Sequence, residues 1–385
     1  MRVIRAALVL VVATALFGAP PAALAHDPTA YGYEAKGMRR EVLGFLNHFD
    51  IDYALEHLDY GAVSTLAFFS VQADRYGRLM KRTSSGAKTQ RWAAWSSPEM
   101  TTIIRRAHLN RTAVVLSVER FAWTSSGVED TVALLSSPTA RERLAQDIAN
   151  AVDSRNVEGV NLDFEPIPSS QRANYVSFVR SVRRALDARQ PGYQLTFAAT
   201  GYIASYDVTA LTAPGAADAV YIMGYQYRGS WSYRAGSTAP LAGPIYDVTD
   251  TVDAYLAKTT RDKIILGVPY YGYAWSTESS ELHARTTPGY VRSILYRDAV
   301  VLGATYGVRY DTVEQSAWTA WRYRPCADCA SSWRQLYWDN PRSLAAKYDL
   351  VNRRGLLGAG VWALGYEGDR PELYTLLKRK FGPLP

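Results

Sequence analysis

Val157-Glu158-Gly159-Val160-Asn161-Leu162-Asp163-Phe164-Glu165-Pro166 is the stretch on which the reading of this chain turns. In an extended strand, successive side chains point to opposite faces. Val160, Leu162 and Phe164 then share one face, and Asn161, Asp163 and Glu165 the other. An apolar row facing helices and a polar row facing inward is the pattern of a strand in a parallel barrel. The polar row climbs toward the C-terminal mouth, where barrel active sites are built.

Outward from this segment the chain alternates strand and helix. Further candidate strands are Glu41–Asn47, Ser64–Val71, Thr112–Val118, Tyr193–Ala199, Ala219–Met223, Lys263–Pro269 and Gly358–Leu364, with Val157–Asp163 as the fourth of eight. Most are short β-branched or aromatic runs of the kind buried on both faces. Between them, Arg141–Asp153 carries Leu144, Ile148, Ala151 and Val152 at helical spacing. Arg172–Arg189 repeats the pattern with Tyr175, Phe178, Val179, Val182 and Leu186. Ser136-Ser137-Pro138 and Pro168-Ser169-Ser170 read as helix entries. Strand–helix alternation implies parallel strands with crossover helices, so the fold class is α/β, a (β/α)8 TIM barrel. The span from about 274 to 357, between the seventh and eighth strands, is longer than one helix requires. It predicts a small α+β insertion with strands at Tyr290–Tyr296, Val308–Val313, Ala317–Tyr323 and Leu336–Trp338, closed by a helix over Ser343–Val351.

The first residues are not part of this pattern. Arg2 and Arg5 precede an apolar run from Ala6 to Phe17, and Ala23-Leu24-Ala25 places small residues where a signal peptidase reads them. Residues 1–25 are therefore expected to be a secretory signal, 26–37 a lead-in, and 38–385 the barrel with its insertion. The apolar run is shorter than the ~20 residues a spanning helix needs. No stable membrane span is expected after cleavage. The expected location is extracellular, with cell-wall association as one form of it, and the expected state a monomer.

Composition narrows the function classes. The 385 residues are 48% hydrophobic and 21% charged, with a formal net charge of +7. The positive charge is spread along the chain with no Lys/Arg run, so nucleic acid is not an expected partner. Tyr 27 and Trp 10 supply flat apolar faces that suit sugar rings, although a large core also uses them. The five histidines are scattered, and no H-E-x-x-H, G-x-G-x-x-G or P-loop occurs. Cys326 and Cys329 are read as a loop staple or as two thiols, since zinc would require two further ligands.

Asp163 and Glu165, two residues apart, stand about 6.6 Å apart along one strand face. Partial burial and a like charge nearby both raise a carboxyl pKa, which suits a general acid at neutral pH. Structural ion pairs also place carboxylates this way. On the strand alone both readings stand.

The segment resembles the signature of glycoside hydrolase family 18, D-G-x-D-x-D-x-E on the fourth barrel strand. Glu158, Gly159, Asn161, Asp163 and Glu165 occupy its positions, with Glu158 and Asn161 replacing Asp. Met223-Gly224-Tyr225-Gln226 resembles the M-x-Y-D motif ending the sixth strand. Ile265–Gly272 resembles the seventh strand, Gly360–Gly365 the eighth, and Tyr310-Asp311 and Tyr337-Trp338-Asp339 the insertion. The resemblance implies a hydrolase of β-1,4 links beside N-acetylglucosamine, in chitin or in peptidoglycan strands. It implies a substrate-assisted retaining mechanism that needs no metal or other cofactor. Glu165, Asp163 and Tyr225 are the implied catalytic residues. Asn161, Met223, Gln226, Trp362 and Phe68 complete the expected substrate-binding set. Asn161 cannot ionise, so Asp163 is expected to ionise more readily than in the family pattern. Gln226 loses a charge and puts chitin in doubt more than hydrolysis. A lectin-like barrel that binds sugar without cleaving it is the second reading, and a barrel with an obstructed cleft a weaker third.

Overall fold

The computed structural model describes residues 26–383 except 325 and 327, so the expected signal segment lies outside the described residues. Seven strands come first along the chain: β1 (Glu41–Asn47), β2 (Thr65–Gln72), β3 (Ala113–Phe121), β4 (Gly159–Glu165), β5 (Gln194–Thr200), β6 (Ala219–Met223) and β7 (Ile264–Pro269). Five follow in the insertion: β8 (Tyr271–Thr277), β9 (Thr286–Leu295), β10 (Arg309–Asp311), β11 (Ser316–Tyr323) and β12 (Ser332–Trp338). The last is β13 (Gly358–Leu364). β1 to β7 and β13 close a parallel barrel in the order β1-β13-β7-β6-β5-β4-β3-β2. This is the eightfold α/β barrel that the alternation predicts.

The helices form where the apolar spacing places them. Pro138–Asp153 starts on Ser137, whose side chain accepts from the Ala140 N–H, with Pro138 in the first turn. There its missing N–H costs nothing. Leu144, Ile148, Ala151 and Val152 are buried against the barrel, as are Tyr175, Phe178, Val179, Val182 and Leu186 of Arg172–Asp187.

Two barrel strands run further than patterning suggests. β3 continues to Phe121 and β4 to Glu165, because Glu119 pairs in register with Asp163, Arg120 with Phe164 and Phe121 with Glu165. Hydrophobic patterning stops at a charge, whereas ladder pairing does not.

In the insertion, β8 to β12 form one sheet in the order β10-β11-β12-β8-β9. Sequence patterning misses β8, which follows β7 after the single residue Tyr270 and reads as one aromatic run with it. It also misses the helix Tyr296–Tyr306. The return helix spans Pro341–Arg354, capped by Asn340 and ended by Gly355 at φ 65°, the left-handed position glycine favours. Cys326 and Cys329 form a disulfide in the turn between β11 and β12.

Candidate active site

At the C-terminal mouth of the barrel, a cavity of about 310 Å³ is lined by strand-end residues. Phe45 and Phe69 come from β1 and β2, Phe121 from the end of β3 and Trp123 from the loop after it, Asp163 and Glu165 from β4, and Ala198 from β5. Tyr221 and Met223 end β6, Tyr225 and Gln226 follow it, and Trp362 comes from β13. A second hollow of about 400 Å³ shares Trp123, Glu165, Met223, Tyr225 and Gln226, and continues to Tyr202, Tyr227 and Trp231. Glu165 thus stands where two lobes of one cleft meet. The first lobe has an aromatic wall: Trp362 lies edge-on to Phe69 at 4.6 Å between ring centroids, and 5.5 Å from Phe45. The second presents Trp123, Tyr202 and Trp231, more than half exposed. Flat rings open to solvent on a cleft wall suit the apolar faces of sugars.

The floor is Tyr221. Its ring fits because Gly267 and Gly360 leave room; a Cβ at either position would sit 2.4 Å and 2.1 Å from it. Gln226 has φ +63°, a region costly to a residue with a Cβ, and its N–H donates to Thr238 Oγ1 at 3.2 Å. Such strain concentrates where a side chain must be aimed.

Burial raises the pKa of both carboxylates of the strand. Burial pushes the Glu165 carboxyl up to about 7, and the nearby Glu119 adds to this. Asp163 is pushed well above the usual carboxylate range by burial, then by Glu165 and Glu119. Asn161 adds no charge beside Asp163, but burial, Glu165 and Glu119 still oppose ionisation there. Burial, with Tyr221, Tyr271 and Glu165 adding to it, holds the Tyr225 hydroxyl protonated, able to donate a hydrogen bond. Asp163 Oδ1 is buried without a hydrogen-bond partner in the protein. A buried acceptor left open in a cavity is free for a ligand donor.

Of the residues expected at the site, Glu165, Asp163, Tyr225, Met223, Gln226 and Trp362 are brought together. Two are not. Phe68 points outward and packs against Trp95, ring centroids 5.1 Å apart. Its neighbour Phe69 lines the cleft, and the register of β2 shifts between Phe68 and Val71. Asn161 is fully buried one layer below the cavity, where its Nδ2 donates to Thr196 Oγ1 at 2.8 Å. It is part of the barrel filling and not of the cavity wall. Phe45, Phe121, Trp123 and Tyr221 escape a reading by motif because none of them falls within a motif, Tyr221 lying just before the one that ends β6.

Two other features do not compete. A cavity of about 490 Å³ lies at the opposite end of the barrel, under the lead-in segment. Its Asp218 is paired with Arg183 at 3.3 Å and accepts from the Leu195 N–H at 2.7 Å. Among the described residues, one His/carboxylate group, His283, Asp311 and Glu314, has ligand atoms within 4.8 Å of one another. It belongs to the insertion and lines neither lobe. Arg228 already holds Glu314 at 2.5 Å, and His283 meets Asp311 at 2.8 Å.

Comparison with known proteins bears on this geometry. The family model for Glycosyl hydrolases family 18 matches residues 43–367. A cortical fragment-lytic enzyme of Bacillus subtilis (strain 168) is 24% identical over 325 residues, 82% of this chain and 67% of that protein. A class V chitinase of Arabidopsis thaliana is 27% identical over 267 residues, 65% of this chain and 69% of that one. Across the first curated relatives, the matches span 52% to 69% of the relatives' own length. A family GH18 chitinase from Cycas revoluta, solved in complex with (GlcNAc)3, superposes with a TM-score of 0.73 at 18% identity. The superposition covers 88% of this chain and 99% of that one.

Proposed function

Because the chain belongs to glycosyl hydrolases family 18, we propose that it hydrolyses β-1,4 linkages beside N-acetylglucosamine by a substrate-assisted, retaining route. The observation that carries this reading is Glu165 at the junction of the two lobes, its carboxyl held protonated to about pH 7. A bond lying across that junction places its oxygen beside the acid. Glu165 donates its proton to the glycosidic oxygen while the acetamido oxygen of the same sugar attacks the anomeric carbon. Asp163 accepts from the acetamido N–H and stabilises the positive charge that develops there. Tyr225 donates to the acetamido oxygen and fixes its direction of attack. Glu165, now a carboxylate, then takes a proton from the incoming water. Trp362 is the platform of the first lobe, and Met223 and Gln226 border both lobes.

The substrate class is an N-acetylglucosamine-containing glycan, with peptidoglycan strands preferred over chitin. The net charge of +7 favours an anionic wall, and one relative is named for lysis of cortical fragments. The protein acts outside the cell, a reading supported by the signal-like N-terminal residues, and works as a monomer. Among the described residues, no helix is long and apolar enough to cross a membrane.

Gln226, where the family pattern has a carboxylate, favours a second reading: sugar binding without turnover. Purified peptidoglycan and chitooligosaccharides, each incubated with the protein and with Glu165→Gln, separate the two. Release of new reducing ends that the variant lacks supports hydrolysis. Binding by both proteins with no release supports the lectin reading.

A further inference from the structure

A third carboxylate stands beside Asp163 and Glu165. Gln72, Glu119 and Asp163 are register partners on β2, β3 and β4, so their side chains point to the same side of the sheet, into the barrel. Glu119 is 1% exposed. Its Oε1 accepts from Gln72 Nε2 at 2.9 Å. Its Oε2 accepts from the Ser70 hydroxyl and from Arg91 Nη1, the latter at 2.8 Å. Arg91 also donates to Ser70 Oγ, so guanidinium, hydroxyl and carboxylate form a closed triangle. Arg91 comes from the short helix Gln90–Trp95, outside the barrel.

The charges facing Glu119 are few. Arg91 approaches from that helix and Asp163 and Glu165 from β4. His48, beyond the end of β1, is held below its usual range by burial and by Arg91. Three carboxylates thus lie together, and the guanidinium of Arg91 is bound to Glu119. A buried carboxylate with a bound cation and satisfied oxygens keeps its charge. The partners of Glu119 occupy both its oxygens, while Asp163 Oδ1 has none. The proton that this crowding demands therefore falls on the other two.

We propose that Glu119, locked by Arg91 and Ser70, is a positioning residue whose fixed charge keeps one proton on the Asp163–Glu165 pair. The upward displacement of both groups, to which Glu119 contributes, agrees with this. The charge absent from β4 at Asn161 is supplied on the neighbouring strand, one layer nearer the cleft. Asn161 pairs in register with Ser117, two residues before Glu119. The inference rests on the reading of Glu165 as the acid, but its electrostatic core can be measured without turnover.

The test compares wild type, Glu119→Gln, Glu119→Asp and Arg91→Gln. One measurement is the pH dependence of kcat/KM on peptidoglycan fragments. The other is an infrared titration of protonated carboxyl groups in the ligand-free protein, with thermal unfolding to establish that each variant is folded. Glu119→Gln is expected to move the alkaline limb toward acid by about one pH unit, and to lower the protonated-carboxyl signal at neutral pH. Glu119→Asp should restore much of both. Arg91→Gln, altered only in a partly exposed side chain, should carry the protonated-carboxyl signal to higher pH. A folded Glu119→Gln with wild-type titration and wild-type limb overturns the proposal. Should that variant not fold, an unchanged titration in Arg91→Gln does the same. If the wild type shows no Glu165-dependent turnover, the proposed function fails, and the infrared titration still decides the role of Glu119.

Discussion

At Glu165 the folded protein binds a proton that the unfolded chain releases. Its ordinary value is 4.5 and its folded value about 7. Between these limits the folded state carries more protons than the unfolded one, so stability falls as pH rises. The penalty is absent below 4.5 and complete above about 7. Glu165→Gln cannot ionise and escapes it. The melting temperature of the variant minus that of wild type should grow across that window and then level off, which scanning calorimetry at a series of pH values would show. Turnover should fall by about 10²–10⁴ in the same variant, with sugar affinity kept. In the wild type, kcat/KM should decline above about pH 7 as the acid loses its proton. The Asp163–Glu165 signal was open to sequence reading because both positions lie on one strand. Glu119 was not, since the partner that lets it stay charged inside the barrel, Arg91, is 28 positions away and approaches through space.

At the scale of strands, a one-residue difference separates core from cleft. Phe68 and Phe69 are adjacent in β2, yet one packs beneath Trp95 and the other walls the site with Trp362. Phe68→Ala should destabilise the protein by about 3–5 kcal/mol and leave KM near wild type. Phe69→Ala should raise KM for acetamido oligosaccharides at a smaller cost in stability. Denaturant unfolding and steady-state kinetics on the pair would check both. Aromatic content marks this strand as valuable, but alternation alone cannot anticipate the register shift after Phe68. β6 and its neighbours raise a different constraint. The Tyr221 ring occupies the space that Gly267 and Gly360 leave open, so Gly360→Ala should force it toward the cavity. A loss of about 1–3 kcal/mol is expected, with weakened sugar binding by calorimetry.

For the molecule as a whole, the insertion holds part of the active site in place. Arg228, two residues beyond Gln226, pairs with Glu314 of the insertion at 2.5 Å, and the Ser237 N–H donates to the other oxygen of Glu314 at 2.8 Å. The His283 ring completes the cluster against Asp311. Arg228→Ala would take from buried Glu314 its close cation and leave only the His283 ring at 3.8 Å, at a cost of about 3–5 kcal/mol. Because the same loop carries Tyr225, kcat should fall as well, which kinetics at a temperature below the lowered melting point would reveal. Burial alone would hold His283 down, but the hydrogen bond to Asp311 and the charge of Glu314 outweigh it and raise its pKa above 6.5. Its stabilisation is complete below that ordinary value and is lost as pH rises through the elevated one. His283→Gln should therefore cost stability at acidic pH and little at alkaline pH.

By itself the sequence determined the barrel, its eight strands, the site of the insertion and the polar row ending in Glu165. Each of these is written in local periodicity: period two along β4, helical spacing along Pro138–Asp153 and Arg172–Asp187, and excess length after β7. Only the tertiary structure decided which aromatics face the cleft, that Asn161 is filling and not wall, and that Glu119 replaces the charge Asn161 lacks. Those outcomes depend on the register between strands and on Arg91 arriving from outside the barrel. Whether a buried carboxylate keeps its charge is settled by what folding brings beside it, and no local pattern records that.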